Sequence, residues 1–402
     1  MFDLNEFIST EVIKRDKSMF LEDIDANKSV LSSKIKDKSV LVIGGAGSIG
    51  SSFIKQVLRF EPKTLVVVDI NENGLAELTR DLRSTKGMYV PEDYVPYPMD
   101  FASTMFEKMF RNRNGFDIVA NFSAHKHVRS EKDIFSVECL VRNNVINAKK
   151  LLDLLVEFPP EEYFCVSTDK AANPVNIMGA SKRLMEDVIF AYSDKFPVKT
   201  ARFANVAFSN GSLPAGFLDR LAKLQPLSAP SDVKRFFVSP EESGQICMLA
   251  CMLGDNREIF FPKLSEASMM SFDVIAVALL KRYGYDPLLC KSDEEAIAKA
   301  EELKEGNNKY PVHFSVSNTS GEKAYEEFYT ETEQVNMNRF GALGVIEGKE
   351  IVSKDKVDRL FSCLQTAFDK KDVSKEEVVL IIKDFLPNFE HIETGKSLDS
   401  KM

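Results

Sequence analysis

The chain has 402 residues, 44% hydrophobic and 28% charged, which suits two to three domains or one large α/β unit with additions and excludes wholesale disorder. Fifty-two basic against 61 acidic side chains leave a net charge of −9, which does not suit a generic nucleic-acid or anionic-membrane binder. An anionic substrate therefore needs a local basic site. No apolar run approaches the ~18–20 residues of a membrane span, and MFDLNEFIST at the start does not read as a signal peptide, so a cytoplasmic protein is expected. The six cysteines form no CxxC pair and read as reduced thiols, and they make no zinc pattern with the four histidines, so no metal is expected.

Residues 1–37 are polar with short apolar clusters and read as an N-terminal helical leader. From residue 39 strand and helix patterns alternate. SVLVIGG, TLVVVDI (64–70), the weaker YVPYPMD (94–100), FDIVANFSA (116–124), YFCVST (163–168) and VKTARFANV (198–206) read as strands. Helical patterns lie between them, including a long one at 130–157 and another near 179–194. Such βα units predict an α/β doubly wound parallel sheet of the Rossmann type over 38–206. Short helices and the strand EIFFP (258–262) then suggest a smaller mixed α/β substrate-binding lobe over 207–350. Two amphipathic patterns within 353–387 mark a C-terminal helical extension, 351–402.

GGAGSIG at 44–50 follows a strand and opens a helix. Gly44 gives the tight turn, Gly47 the close approach to a pyrophosphate and Gly50 the helix–sheet contact. Ala46, Ser48 and Ile49 complete the loop, and the helix N-terminus offers free N–H groups to phosphate. Asp69 follows Gly50 by 19 residues and can accept from ribose hydroxyls while repelling a 2′-phosphate; with no Arg or Lys in the next few positions, NAD is favoured over NADP. Asp100 could reach the adenine or be an ordinary loop aspartate.

Ser167-Thr168-Asp169-Lys170 ends the fifth strand, and Met178 and Lys182 lie four apart on the helix that follows, on one face. In this context the sequence resembles the extended short-chain dehydrogenase/reductase superfamily, whose YxxxK carries Lys182 here but Met178 in place of Tyr. STDKAANPVNIMGASKR, SAHKHV (123–128), Asn144, RFANVAFSNGS (202–212), KRFF (234–237) and SGEKAYEEF (320–328) narrow the resemblance. They are similar to the CapD-like polysaccharide-biosynthesis group, the UDP-N-acetylglucosamine 4,6-dehydratases, some of which share the Met. The resemblance implies an internal redox cycle. NAD takes a hydride from C4 of the sugar, water leaves C6, and the hydride returns to C6.

In that cycle Asp169 would protonate the leaving hydroxyl, Lys170 would abstract the C5 proton, Lys182 would bind the nicotinamide ribose and Thr168 the reacting oxygen. The proton of the C4 hydroxyl, which Met178 cannot accept, could go through Thr168 or water to Asp169, or to Lys182. By the same resemblance Asn205 and the turn ending at Ser212 would contact sugar and phosphates, Arg235 would pair with the pyrophosphate, and Lys126 and His127 would line the sugar pocket. The substrate implied is a nucleotide-diphosphate sugar, with uridine favoured. Helices near 135–157 and 180–194 are the superfamily's usual dimer faces, so a homodimer or higher homo-oligomer is expected. An epimerase or 4-keto reductase on the same scaffold, and a catalytically silent NAD-binding protein, are the competing readings.

Overall fold

The computed structural model of the protein describes residues 2–317 and 327–392. Six strands, β1 (Ser39–Ile43), β2 (Thr64–Asp69), β3 (Asp93–Pro98), β4 (Ile118–Asn121), β5 (Glu162–Val166) and β6 (Val198–Ala201), run parallel in the order β3-β2-β1-β4-β5-β6. Ile259–Pro262 continues the parallel run beside β6, and Leu343–Glu347 and Gln334–Asn336 close that edge antiparallel. Continuous apolar runs suit this sheet because helices cover both faces; every residue of β4 and β5 is buried. The order reverses between β1 and β4, and a crevice opens at the carboxyl ends of the strands on either side of such a reversal. The doubly wound α/β fold expected from the alternation is the fold observed.

Two expected elements are broken, each for a buried polar side chain. The helix expected at 130–157 is a 3-10 turn (Val128–Glu131), a helix capped by Asp133 (Ile134–Val141), a π turn (Arg142–Ile146) and a second helix (Asn147–Glu157). The wider π turn brings Asn144 inward, where it is 2% exposed and fully hydrogen-bonded. The strand expected over 198–206 stops at Ala201, because the next side chain, Arg202, is spent on buried carboxylates rather than on a sheet face. Asn205–Val206 resumes as a separate pair with Phe237–Val238.

The smaller lobe holds a three-stranded parallel sheet, Asp286–Leu289, Lys309–Ser315 and Leu227–Pro230. The sequence does not single out these strands, and the helix Asp293–Ala300 lies between the first two. Proline inside DPLL and KYPVHFS masks the two strands that flank it. The leader feeds two cores. Phe7, Ile8 and Val12 pack with Phe217 and Leu279 of the smaller lobe, whereas Phe20, Ile24, Leu31 and Ile35 join the core of the main sheet.

The C-terminal helices Lys354–Phe368 and Lys375–Phe385 form a hairpin with Val357, Leu364, Val378 and Ile382 fully buried. Arg142 lies 5.1 Å from the Phe368 ring, Lys149 5.4 Å from Phe361, and Lys354 5.5 Å from Tyr192. The hairpin therefore packs on the helices that the resemblance offers for pairing two copies. Among the described residues no helix is long and apolar enough to cross a membrane, and no group of His, Cys, Asp and Glu could hold a metal ion.

Candidate active site

The glycine loop is built for close approach. Gly44 has φ +75°, its N–H donates to the Val68 carbonyl (2.7 Å), and a Cβ there would come within 2.6 Å of the Ser123 nitrogen. A Cβ on Gly50 would collide with the Gly44 carbonyl. Gly47 caps the helix Ser48–Leu58 without any side-chain acceptor, so the first-turn N–H groups face the crevice. Asp69 ends β2, and its carboxylate accepts from the N–H of Ala46 (3.0 Å) and of Asn71 (2.9 Å), which fixes it beside the loop. A cradle with no room for side chains, a helix N-terminus and a carboxylate at the end of β2 together fit a dinucleotide. Asp100 is exposed, folds onto the N–H of Ala102 (2.8 Å) and is not on the wall of the cleft.

That cleft, about 720 Å³, is lined by Gly44, Gly47, Ser48, Ile49 and Gly50 on one side and by Thr168, Asp169, Lys170, Met178 and Lys182 on the other. Thr168 leaves the end of β5 in an extended conformation and caps the short turn Asp169–Ala171. Its hydroxyl donates to Asp169 Oδ1 (2.8 Å), which also accepts from the Lys170 N–H (2.9 Å) and from Lys170 Nζ (3.1 Å). Asp169 is 4% exposed and the Lys170 side chain 21%, so the ion pair stands at the edge of the solvent-excluded part. Met178 and Lys182 are buried on the helix Ile177–Phe190, whose N-cap is Asn176. Lys182 Nζ donates to the Val166 carbonyl at the end of β5 (2.9 Å). Burial lowers its pKa, while Cys165 and Glu186 act in the opposite sense.

Of the residues expected to meet a substrate, Lys126, His127, Asn205 and Ser212 also line the cleft. The Asn210 N–H donates to Ser48 Oγ (2.9 Å) and Lys126 Nζ donates to the Asn210 carbonyl (2.9 Å), which joins this turn to the glycine loop. Lys126 is exposed at the rim, yet the surrounding protein desolvates its amine enough to lower its pKa. Ser212 caps the helix Leu213–Ala222, so a second helix N-terminus faces the same space. Arg235 stands elsewhere: it is 4% exposed, in the short strand Lys234–Arg235, with Nη1 donating to the Lys234 carbonyl (2.9 Å), and it does not line the cleft. Arg220, in the last turn of the helix Leu213–Ala222, does line it. The stretch at 320–328 falls mostly on 318–326, outside the described residues.

Sequence reasoning assigned no role to two supporting groups. Asn144 spans the His125 N–H (2.8 Å) and carbonyl (2.9 Å) and reaches Ser181 Oγ (3.0 Å), tying the loop after β4 to the helix of Lys182. Glu186, on that same helix, accepts from Ser167 (2.6 Å) and pairs with Arg202 (2.8 Å), which also pairs with Glu333 (2.7 Å). Burial alone would raise the Glu186 carboxyl, but Arg202 and Lys349 outweigh it and hold the group well below the usual carboxylate range. The spacing of Ser167 to Glu186 gives no hint of this, because the contact depends on how a strand end meets a helix.

A glycine cradle at a helix N-terminus, opening into a cleft across the carboxyl ends of a doubly wound sheet, defines a dinucleotide-fold protein. The chain belongs to the polysaccharide biosynthesis protein family, whose sequence profile matches residues 40–347. It is 31% identical over 362 residues to an uncharacterized membrane protein of Methanocaldococcus jannaschii, covering 88% of this chain and 98% of the relative. It is 25% identical to the capsular polysaccharide biosynthesis protein CapD of Staphylococcus aureus, over 76% of this chain but only 50% of CapD. The chain thus spans about half the length of that relative. An inverting UDP-N-acetylglucosamine 4,6-dehydratase of Campylobacter jejuni is 26% identical, covering 56% of this chain and 67% of the relative. Among solved structures, Pen from Bacillus thuringiensis matches with a TM-score of 0.63 at 20% identity, over 82% of this chain and 98% of Pen. A UDP-glucuronic acid 4-epimerase from Bacillus cereus, in complex with UDP-glucuronic acid and NAD, matches with a TM-score of 0.51 at 16% identity, over 72% of this chain and 89% of that one. Both structural likenesses show the fold.

Proposed function

We propose that the protein is an NAD-dependent nucleotide-sugar 4,6-dehydratase acting on UDP-N-acetylglucosamine, in the biosynthesis of a surface polysaccharide or glycan. One observation carries the reading: the Thr168 hydroxyl and the Lys170 ammonium meet on a single carboxylate oxygen, Asp169 Oδ1, on the wall that faces the glycine loop. An epimerase needs no acid and amine placed together for elimination. The kinship to the Campylobacter dehydratase supports the same reading.

Gly44, Gly47, Gly50 and the helix N-terminus at Ser48 would hold the dinucleotide pyrophosphate, Asp69 its adenosine ribose, and Lys182 its nicotinamide ribose. Bound there, NAD supplies an acceptor for the hydride at C4 and a donor of it at C6. The remaining work is proton transfer by this chain. The C4 hydroxyl gives its proton to Thr168 Oγ1, which passes its own along the existing hydrogen bond to Asp169. Lys170, once its ammonium has released a proton to solvent, removes the C5 proton as the free amine. Asp169 then protonates the C6 hydroxyl, which leaves as water, and Lys170 returns a proton to C5. The proton lost from the C4 hydroxyl thus departs in the water, and both side chains end as they began. Met178 takes no part as a base. The N-terminus of helix Leu213–Ala222, with Lys126 and Arg220, would receive the substrate diphosphate, a role that the position of Arg235 does not support.

Incubation of the purified protein with UDP-N-acetylglucosamine in deuterated water, followed by mass spectrometry and NMR, tests this. The expected product has lost one water and carries deuterium at C5. A product of unchanged mass would sink the reading in favour of epimerisation, and no conversion would leave a silent dinucleotide-binding protein.

A further inference from the structure

Beyond the hairpin the chain turns back toward the cleft. Lys375 Nζ donates to the Glu131 carbonyl (2.9 Å), His391 Nε2 lies 3.6 Å from Glu131 Oε2, and the Ile392 N–H donates to the Val175 carbonyl (3.0 Å). Glu131 ends the 3-10 turn that follows Lys126 and His127. Its Oε1 accepts the N–H of Met178 (2.8 Å). That N–H is one of four at the start of helix Ile177–Phe190 with no helical acceptor, and the Asn176 side chain accepts from another of them, that of Gly179. Glu131 is therefore a second cap on the helix of Lys182, and its side chain is only 9% exposed. The next residue, Gly179, sits so close to the Lys170 carbonyl that a Cβ would come within 2.6 Å of the oxygen. A displacement of this helical turn is thus passed to the turn that bears Asp169 and Lys170.

We infer that Glu131 is a positioning residue for the site, and that the C-terminal hairpin supports the reacting groups through it. Lys375 and His391 hold Glu131 from the hairpin side, and Glu131 holds the Met178 turn against Lys170. The Ile392 contact fixes the neighbouring Val175 from the same direction. The hairpin thus grips both the loop of Lys126 and His127 and the segment leading into the helix. The effect on turnover rests on the dehydratase reading; the effect on the backbone does not.

Hydrogen exchange and steady-state kinetics on the full chain test this with Glu131→Ala, Glu131→Gln and His391→Ala. Glu131→Ala should speed exchange of the amides over 177–182 by about tenfold or more and leave those of 48–58 unchanged. It should lower kcat on the order of 10- to 100-fold, with KM and dinucleotide affinity held within about twofold. Glu131→Gln keeps an oxygen acceptor for the Met178 N–H and should restore most of both, and His391→Ala should move both in the same direction as Glu131→Ala by less. Unchanged exchange over 177–182 in Glu131→Ala, a glutamine variant as impaired as the alanine one, or a loss of dinucleotide affinity matching the loss of kcat would each overturn the inference. If Glu131→Ala does not fold, unchanged exchange in His391→Ala overturns it. Absence of turnover in the unsubstituted protein would defeat the dehydratase reading alone, and the exchange measurement would still decide this one.

Discussion

Asp169 and Lys170 stand side by side in the chain and the Lys170 amine lies on the Asp169 carboxylate, the pairing that the proposed elimination needs. Asp169→Asn removes the proton acceptor of the Thr168 hydroxyl, and Lys170→Ala removes the amine. Each should lower turnover by about 100-fold or more while dinucleotide affinity changes by less than about twofold, as measured by single-turnover kinetics and equilibrium titration. Weakened dinucleotide binding with normal turnover at saturation would refute those roles. Asp69, at the end of β2, is held against the glycine loop by the Ala46 N–H, so Asp69→Ala should weaken NAD and relax discrimination against NADP, checked by comparing the two dissociation constants. That Thr168, Asp169, Lys170, Met178 and Lys182 would share one cleft was legible from a strand end and a four-residue helical step. Arg235 was not: resemblance supplies a position and a type, but the depth of a side chain depends on which strand it pairs with, here Met270–Ser271.

At the scale of elements, continuous apolar runs and glycine spacing announced β1, β2, β4 and β5 and the first helix. The breaks were not announced, since a π turn and a strand that stops early are both imposed by long-range partners. Asn144 shows the difference. Besides a bond from the neighbouring Asn143, it makes three with residues 19 and 37 positions away, beyond any local periodicity. Asn144→Ala should leave the N–H and carbonyl of His125 poorly satisfied and destabilise the fold by roughly 1–3 kcal/mol, read from urea unfolding. A change well below that range would mean that solvent readily replaces these bonds. The strands of the smaller lobe were hidden for another reason: proline and histidine in Lys309–Ser315 break the alternation that marks a strand, yet the segment is paired on both sides.

For the whole molecule, the buried group of Glu186, Arg202 and Glu333 ties the helix of Lys182 to β6 and to the segment leading into the antiparallel edge. Arg202 and Glu186 are fully buried, so losing the guanidinium leaves the Glu186 charge to Lys349 and Ser167 and breaks the tie to Glu333. Arg202→Met should cost roughly 3–5 kcal/mol of stability, measured by denaturant unfolding. The sign with pH follows from the lowered Glu186 pKa. Its contribution is complete above the ordinary carboxylate value of 4.5 and declines as the pH falls below it, where the wild type should lose stability more steeply than Glu186→Gln.

The first dozen residues carry one more consequence. Phe7, Ile8 and Val12 are anchored in the lobe that bears the helix Leu213–Ala222, while Phe20 and Ile24, a few positions on, are anchored under the parallel sheet. A tie rod so short leaves the two halves little freedom to swing as rigid bodies. If the protein acts as proposed, admission and enclosure of a sugar nucleotide would then come from rearrangement of side chains and local turns around the mouth, not from the jaws opening on a hinge.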